Sequence, residues 1–442
     1  MEQKEQPAQR QNQALWSAMG ISGSAQAFVE DCEKKGERTL RQVEARTLHN
    51  SAKVLAALQA EQIAQRHFAP STGYGYDDIG REALGRVFAR ALGAPDAIVR
   101  PQFASGTHAI MTALWGLLEP GQTLLSISGL PYDTIREAIG IEGDAAGSLA
   151  RFGIHYREVA LRDGQVDLEG VLQALAQDAS VGLVYLQRSR GYAWREAVSI
   201  AEMADIFAAI RRQYPGLPIV VDNCYGEFVE EQEPTEVGAD IIIGSLIKNP
   251  GGGLAPTGSY IAGQSALLER IAARMTTPGI GREVGSYAAS YAPFYQGLFM
   301  APHVVGEALK TAILASIIFE TLGYQTLPAS HAVRSDIIQA VAFGSKEPLL
   351  SFCQSIQAAA PVDSHVTPEP WAMPGYQDEV IMAAGAFVQG ASIELSADGP
   401  VRPPYIAYMQ GGLHYQHGKI ALMKAVSAWE RAGRVLPDHE KE

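Results

Sequence analysis

The chain has 442 residues, 47% of them hydrophobic and 19% charged, a composition that suits a globular protein with an ample core and room for two or three domains. Its 35 basic and 48 acidic residues give a formal net charge of −13, which argues against a general binder of nucleic acids or anionic membranes. Cys32, Cys224 and Cys353 are widely spaced and odd in number, which predicts neither a disulfide framework nor a zinc site, and without a long apolar run or an apolar N-terminal segment we expect a cytoplasmic enzyme.

The first part of the chain predicts an arm followed by a helix. Residues 1 to about 36 are polar and rich in Gln and Glu, so we expect an arm that orders only against a partner surface. From residue 39 to about 65, apolar residues recur every three or four positions, which indicates one amphipathic helix or a broken pair. Glycines and acids in residues 71–78 cannot continue a helix and predict a loop.

Between residues 95 and about 263 the pattern changes to short apolar runs that alternate with helix-like stretches. Continuous apolar strands between helices predict a mainly parallel sheet with helices on both faces. Ligands bind outside the carboxyl ends of the strands in such sheets, so the residues after each run are the first site candidates. The predicted strands are residues 123–126, 181–186, 217–221, 241–243 and 259–262, and the clearest helices are 168–176 and 200–212.

The last third of the chain predicts a second, smaller domain. A long helix is expected over residues 304–322, followed by strand and helix segments that prolines interrupt. The patterns therefore divide the chain into an N-terminal arm and helix (1–66), a large domain (67–302) and a small C-terminal α/β domain (303–442).

A first candidate for ligand binding is the segment FASGTHA, residues 103–109, which precedes an apolar helix face. Ser105, Gly106 and Thr107 would expose backbone N–H groups and hydroxyls at the N-terminus of that helix. This arrangement favours an anion such as a phosphate. The same residues, taken alone, fit an ordinary helix cap.

Two further candidates lie at predicted strand ends. Asp222 closes one apolar run and is either a helix cap or a functional carboxylate. Lys248 follows the next run and precedes a glycine-rich segment. Desolvation in these apolar surroundings would lower the pKa of the lysine and make it a nucleophilic amine, whereas the alternative is a surface lysine.

The three elements are more specific together than separately. Pyridoxal phosphate needs an anion site for its phosphate, a carboxylate that keeps its ring nitrogen protonated, and an amine for a Schiff base. The predicted strand ends supply all three, so the sequence predicts pyridoxal 5'-phosphate as the cofactor.

A set of motifs between about residues 70 and 415 extends this prediction. They are TGYGYDD (72–78), FASGTHA (103–109), GLPYDT (129–134), QRSRGY (187–192), VDNCYGEF (221–228), GSLIKNPGGG (244–253) and RPPY (402–405). Through them the sequence resembles fold-type I pyridoxal-phosphate enzymes of the cysteine and methionine metabolism class, and within that class the methionine gamma-lyase-like family of aluminium-resistance proteins. The resemblance implies an α/β fold with a large, mainly parallel-sheet domain and a small C-terminal α/β domain.

The resemblance also implies how the cofactor is bound. Lys248 would attach it covalently, and Asp222 would pair with the pyridinium nitrogen. Tyr132 would stack on the ring and could donate a proton to a departing thiolate. The phosphate would be held by Ser105, Gly106, Thr107 and Ser245.

Three residues are implied to act at the edges of the site. Tyr74 and Tyr76 match a loop that, in this class, reaches the phosphate across a dimer interface. Arg402 falls where the class keeps the arginine that binds the α-carboxylate of the substrate, a task that suits its two parallel donors. The alternative for Arg402 is a solvent-facing loop residue.

The sequence departs from the better-known lyases at two places. Ile247 stands where those enzymes have threonine, and QRSRGY replaces their Asn-Pro element, so substrate preference does not transfer. Arg188 and Arg190 bind a second anionic group or pair with the excess acids. No metal is expected, because the histidines are not at metal spacing with carboxylates; those considered are His108, His414 and His417.

The resemblance implies a lyase that breaks the carbon–sulfur bond of methionine, cystathionine or a related amino acid, in a homodimer or homotetramer with shared sites. The freed Lys248 would remove the Cα proton. An aminotransferase, or an elimination on a non-sulfur amino acid, would use the same residues. A non-catalytic protein that binds the cofactor is disfavoured, because the sequence shows no DNA-reading segment. Nucleic acids and membranes are not expected as partners.

Overall fold

The computed structural model describes residues 7–373 and 378–437, with side chains from residue 13 onward. The helices are α1 Pro7–Ala18, α2 Gly23–Ala60, α3 Ile79–Ala91, α4 Gly106–Leu117, α5 Asp133–Ile139, α6 Leu168–Gln177, α7 Ile200–Gln213, α8 Ser265–Met275, α9 Ala292–Thr321, α10 Lys346–Ala359 and α11 Tyr415–Arg431. The strands are β1 Asp96–Arg100, β2 Thr123–Ser126, β3 His155–Glu158, β4 Val181–Gln187, β5 Ile219–Asp222, β6 Ile241–Ser245, β7 Ser259–Gly263, β8 Gln325–Leu327, β9 Gln339–Ala342, β10 Val380–Ala383, β11 Ser396–Pro400 and β12 Ile406–Gln410.

One compact unit comprises residues 45–306 and 334–337. Its sheet has the order β1-β7-β6-β5-β4-β2-β3, in which β7 runs antiparallel to both neighbours and the other pairs are parallel. Strands β2, β5, β6 and β7 are buried along their whole length, as their apolar sequences require. The predicted α/β domain with a mainly parallel sheet is therefore confirmed.

The five strands predicted from apolar runs are all present, and their ends differ from the prediction by no more than two residues. Strands β1 and β3 were not predicted. The apolar part of β1 is short and lies between Asp96 and Arg100, and β3 has the polar sequence HYRE at the edge of the sheet. β3 is partly exposed to solvent at this edge and lacks the apolar pattern that identifies central strands.

A second compact unit comprises residues up to 44, 307–333, and 338 onward. Its sheet is antiparallel throughout, in the order β10-β11-β12-β9-β8, and α10 packs against α11. Four aromatic side chains form part of its core, with adjacent ring centroids 5.3–5.6 Å apart; they are Phe319, Phe343, Phe352 and Trp429.

The prediction of a polar arm over the first 36 residues is wrong for residues 23–36, which form the start of α2. Ala25, Phe28, Val29 and Cys32 are at most 2% exposed and lie on one face of this helix. Their spacing was present in the sequence, but the surrounding Glu, Gln and Lys residues obscured it. Helix α9 also begins earlier than predicted, at Ala292. Residues 1–6 of the predicted arm lie outside the described residues.

Residues 71–78 form the predicted loop ahead of α3. The predicted domain boundaries at residues 66 and 302 stay a proposal. Over residues 7–373 and 378–437, no helix has both the length and the hydrophobicity that crossing a membrane requires.

Candidate functional site

The carboxyl ends of β5 and β6 bring the predicted acid and lysine to one edge of the sheet. The strands are parallel, with Asp222 opposite Ile243, and Lys248 follows β6 after a short turn. Asp222 is 3% exposed, and its Oδ1 atom accepts a hydrogen bond from the Cys224 N–H at 3.1 Å. Burial raises the pKa of the Asp222 carboxyl, and the positive charge of Lys248 offsets only part of that effect.

The charge state of Lys248 differs from the sequence prediction. Burial lowers the pKa of its amine. The charges of neighbouring groups together raise this pKa by more than burial lowers it, so the resulting pKa lies well above the usual value; these groups belong to Cys224, Tyr225, Asp222 and Tyr132. The predicted lowering is therefore wrong in this structure. The sequence showed the apolar strand before the lysine but could not show how many acidic groups the fold places around it.

The residues predicted to bind an anion, Ser105, Gly106 and Thr107, lie at the N-terminus of α4, which is called the cradle below. Ser105 caps the helix, with its Oγ atom accepting the His108 N–H at 3.1 Å, and its side chain is open to solvent. Gly106 is the first helical residue, and a Cβ atom at this position would lie 3.4 Å from Ser245 Cβ and 3.8 Å from Cys224 Sγ. The helix start therefore directly approaches the residues that follow β5 and end β6.

Tyr132 is joined to this cradle. Its hydroxyl lies 3.0 Å from Thr107 Oγ1, and its backbone N–H donates to Gln187 Oε1 at 2.8 Å. Burial and the Asp222 charge raise the pKa of Tyr132 above its ordinary value. The phenol therefore holds its proton at neutral pH.

Tyr225 also belongs to this site, and sequence reasoning missed it. The Nζ atom of Lys248 lies 4.0 Å from the centroid of the Tyr225 ring, within cation–π range. Tyr225 has φ +73°, a left-handed conformation that costs a non-glycine residue about 1–3 kcal/mol. The only sequence signal was its place between the predicted acid and Gly226.

The structure shows what surrounds the two arginines of QRSRGY. Arg188 is fully buried; its Nη1 donates to Asn223 Oδ1 at 2.8 Å and to Gly226 O at 2.9 Å, and its Nη2 pairs with Glu230 at 2.8 Å. Arg190 is also buried, with Nε 3.6 Å from Asp336 Oδ2. Of the two alternatives, the structure favours pairing with acids.

The Tyr74/Tyr76 loop presents both tyrosine rings to solvent, with exposures of 71% and 59%. The rings lie 5.5 Å apart. The loop backbone is held by its own chain, because the Gly285 N–H donates to Tyr74 O at 2.9 Å and Arg81 Nη1 donates to Gly75 O at 2.8 Å. These hydrogen bonds hold the loop backbone, while both tyrosine rings stay exposed to solvent.

Arg402 lies in the other compact unit, between β11 and β12. Its side chain is 51% exposed, and Nη1 donates to Asp378 Oδ2 at 2.7 Å. Its role in substrate binding stays a prediction.

The residues around Lys248 fit pyridoxal phosphate. A phosphate fits the solvent-open N-terminus of α4, which lies beside Ser245. Asp222 is a buried carboxylate at the carboxyl end of β5, and Lys248 supplies the amine. Among the described residues, no group of three or more His, Cys, Asp or Glu side chains could hold a metal ion.

Comparison with protein families matches residues 25–430 to the methionine gamma-lyase model. The uncharacterized protein YnbB of Bacillus subtilis is 50% identical over 390 residues, 88% of this chain and 92% of YnbB. L-methionine gamma-lyase of Pseudomonas putida is 28% identical over 204 residues, 45% of each chain.

Solved structures show the same relationship. A carbon-sulfur lyase involved in aluminium resistance from Clostridium novyi NT has 46% identity and a TM-score of 0.90, over 94% of this chain and 98% of that one. The pyridoxal-5'-phosphate dependent protein YhfS of Escherichia coli has 16% identity and a TM-score of 0.56, over 88% of this chain and 97% of that one. The latter similarity concerns the fold alone. The predicted fold-type I architecture is confirmed.

Proposed function

The chain belongs to the methionine gamma-lyase family and is a pyridoxal-phosphate-dependent carbon–sulfur lyase, and we propose that its substrate is a sulfur-containing amino acid such as methionine or cystathionine. The products would be a keto acid, ammonia and a thiol. The observation that carries this proposal is the convergence of Lys248, Asp222 and the N-terminus of α4 at one sheet edge.

The phosphate group would bind at the start of α4. Backbone N–H groups at a helix N-terminus and the helix dipole favour an anion. Hydroxyl groups would add donors on two sides of the cradle. The residues proposed for this task are Ser105, Gly106, Thr107 and Ser245.

When bound, pyridoxal phosphate supplies an electron sink for negative charge at the substrate Cα. Asp222 would hold the proton of the ring nitrogen, which requires a carboxylate shielded from water. Lys248 would attach the cofactor and, once freed by the substrate amine, take the Cα proton at Nζ. Tyr132 would stack on the ring and give its hydroxyl proton to the departing thiolate, since burial keeps that proton in place.

The substrate and a second subunit would complete the site. Arg402 is proposed to bind the α-carboxylate through its guanidinium. The exposed Tyr74 and Tyr76 are proposed to reach the phosphate of a neighbouring subunit, in a homodimer or a homotetramer of paired dimers. The fixed backbone of this loop supports that proposal, because rigid exposed aromatic residues suit an interface.

Product analysis tests the reaction. Purified protein loaded with pyridoxal phosphate is incubated with separate amino acids, and the keto acid, ammonia and thiol are quantified. Equal amounts of 2-oxobutyrate, ammonia and thiol from methionine or cystathionine would support γ-elimination, and pyruvate in place of 2-oxobutyrate would place the cleavage at Cβ. Consumption of an added keto acid without ammonia would instead identify an aminotransferase and overturn the proposal.

A further inference from the structure

The turn after Asp222 places an aromatic residue where the backbone ordinarily selects glycine. The Gly226 N–H donates to Asn223 O at 2.9 Å, which closes a four-residue turn with Tyr225 at its third position. Tyr225 has φ +73° there. Turns with a positive φ at this position strongly prefer glycine or asparagine. A tyrosine in this conformation is strained, and strained residues that persist at a site point to a role for the side chain.

The ring of Tyr225 meets the amine on which the proposed chemistry depends. Lys248 Nζ lies 4.0 Å from the ring centroid. The other titratable groups that act on this amine are Asp222, Cys224 and Tyr132. Among these neighbours, Tyr225 supplies the ring face on which the amine lies.

The strained turn is held by the buried guanidinium of Arg188. Arg188 Nη1 donates to both Asn223 Oδ1, at 2.8 Å, and Gly226 O, at 2.9 Å, so it ties together the two ends of the turn. A Cβ atom on Gly226 would lie 2.3 Å from Arg188 Nη1. Arg188 therefore leaves no room for a side chain at position 226, and its two hydrogen bonds hold the turn in which Tyr225 has its left-handed conformation.

We propose that Tyr225 is a positioning residue whose ring receives the Lys248 ammonium that forms when this lysine, detached from the cofactor, has taken up a proton. The proposal rests on the assignment of Lys248 as the lysine that carries the cofactor. Without this contact, rotation about the bonds of the flexible four-carbon side chain would move the freed amine away from the site. The ring keeps it beside Asp222 and the start of α4, ready for the next attachment.

Two substitutions separate this role from a structural one. Tyr225→Gly removes the ring, and glycine adopts φ +73° without strain, so this variant should fold. Without cofactor, its midpoint of thermal unfolding should not fall below that of Tyr225→Phe. Tyr225→Phe keeps the ring face and removes only the hydroxyl.

The first measurement uses cofactor-free protein labelled with 13C at the ε carbon of lysine, in which Lys248→Ala identifies the Lys248 signal by its loss. Protons above an aromatic face are shielded, so the ε-CH₂ signal of Lys248 should lie upfield in wild type and Tyr225→Phe and return to the ordinary lysine position in Tyr225→Gly. An unshifted signal in wild type, or a shift that survives in Tyr225→Gly, would overturn the proposal.

The second measurement follows the visible absorbance that appears when pyridoxal phosphate is added to cofactor-free protein. The rate for Tyr225→Gly should fall by about fivefold or more, as misplacement of a reacting group does, and Tyr225→Phe should match wild type. An equal loss in both variants would assign the effect to the hydroxyl and contradict a role for the ring. If no absorbance appears even in wild type, the cofactor assignment fails instead, and the NMR result still decides whether the ring holds the amine.

Discussion

The hydroxyl groups of Thr107 and Tyr132 lie 3.0 Å apart and join two parts of the site that are 25 residues apart in sequence. Thr107 stands in the first turn of α4, where the phosphate is proposed to bind, and Tyr132 directly precedes α5. The hydrogen bond fixes the phenol beside the cradle. It therefore sets the position from which Tyr132 could stack on the cofactor ring and donate a proton.

Tyr132→Phe should separate these two tasks. The variant keeps the aromatic ring, so the cofactor should still bind, but it loses the donor for the departing thiolate. We expect kcat to fall by about 10²–10⁴, the usual contribution of a general acid. Thr107→Ser is the matched control, because it keeps a hydroxyl near Tyr132. A Tyr132→Phe variant with wild-type kcat would exclude the phenol as the acid.

Mixed subunits test whether the Tyr74/Tyr76 loop serves a neighbouring chain. Inactive Lys248→Ala subunits are mixed with inactive Tyr74→Phe/Tyr76→Phe subunits. Half of the dimers formed would be hybrids, each with one intact site of two, so roughly a quarter of wild-type activity should return. In the control, the Lys248→Ala subunits are replaced by subunits that carry Lys248→Ala, Tyr74→Phe and Tyr76→Phe together. No intact site can form in this mixture, so no activity should return. If the first mixture stays inactive despite measured subunit exchange, the loop serves its own chain.

Arg402→Lys tests the proposed carboxylate contact. Lysine keeps the positive charge but loses the paired donors, so binding of every amino-acid substrate should weaken by about 2–3 kcal/mol, with the cofactor spectrum unchanged. Asp378→Asn is the matched control, because it breaks the ion pair with Arg402 and leaves the guanidinium. Equal, small effects of both substitutions on KM would show an ordinary surface ion pair.

Glu227 should make stability depend on pH. This side chain is fully buried, and its Oε1 accepts the Tyr260 hydroxyl at 2.9 Å. Burial raises its pKa from 4.5 to about 8. The folded protein therefore keeps a proton that the unfolded chain releases near pH 4.5, so this contribution is complete at low pH and is lost as the pH rises toward 8.

Glu227→Gln keeps an acceptor for Tyr260 but cannot ionise. Between pH 5 and 8 the free energy of unfolding of the wild type should fall more steeply than that of the variant, with a difference in slope of at most about 1.4 kcal/mol per pH unit. Urea unfolding of cofactor-free protein at several pH values measures both slopes. Parallel slopes for the two proteins would mean that Glu227 is ionised in the fold throughout this range.

The sequence identified the central strands of the large sheet because burial on both faces requires continuous apolar runs. It could not identify β3, whose edge position permits polar residues, or the first helical turns of α2, where Glu, Gln and Lys residues surround the buried apolar face and obscure its spacing. Asp222 and Lys248 were identifiable because they follow such runs. Their chemistry was harder to predict.

The pKa of Lys248 depends on groups from separate segments, which only the fold brings around one amine. Tyr225 was missed because its role follows from a backbone angle and a ring contact, and neither leaves a pattern in the sequence. The burial of Arg188 likewise depends on the close approach of Gly226, which is separated from it along the chain.

Borohydride reduction tests the central claim that Lys248 carries the cofactor. Protein reconstituted with pyridoxal phosphate should be yellow, and reduction should fix the cofactor on the peptide that contains Lys248, as identified by mass spectrometry. Lys34→Ala, which removes a lysine whose side chain is 77% exposed, should label in the same way, and Lys248→Ala should not label. Fixation on another lysine, or a protein that stays colourless after reconstitution, would contradict the account.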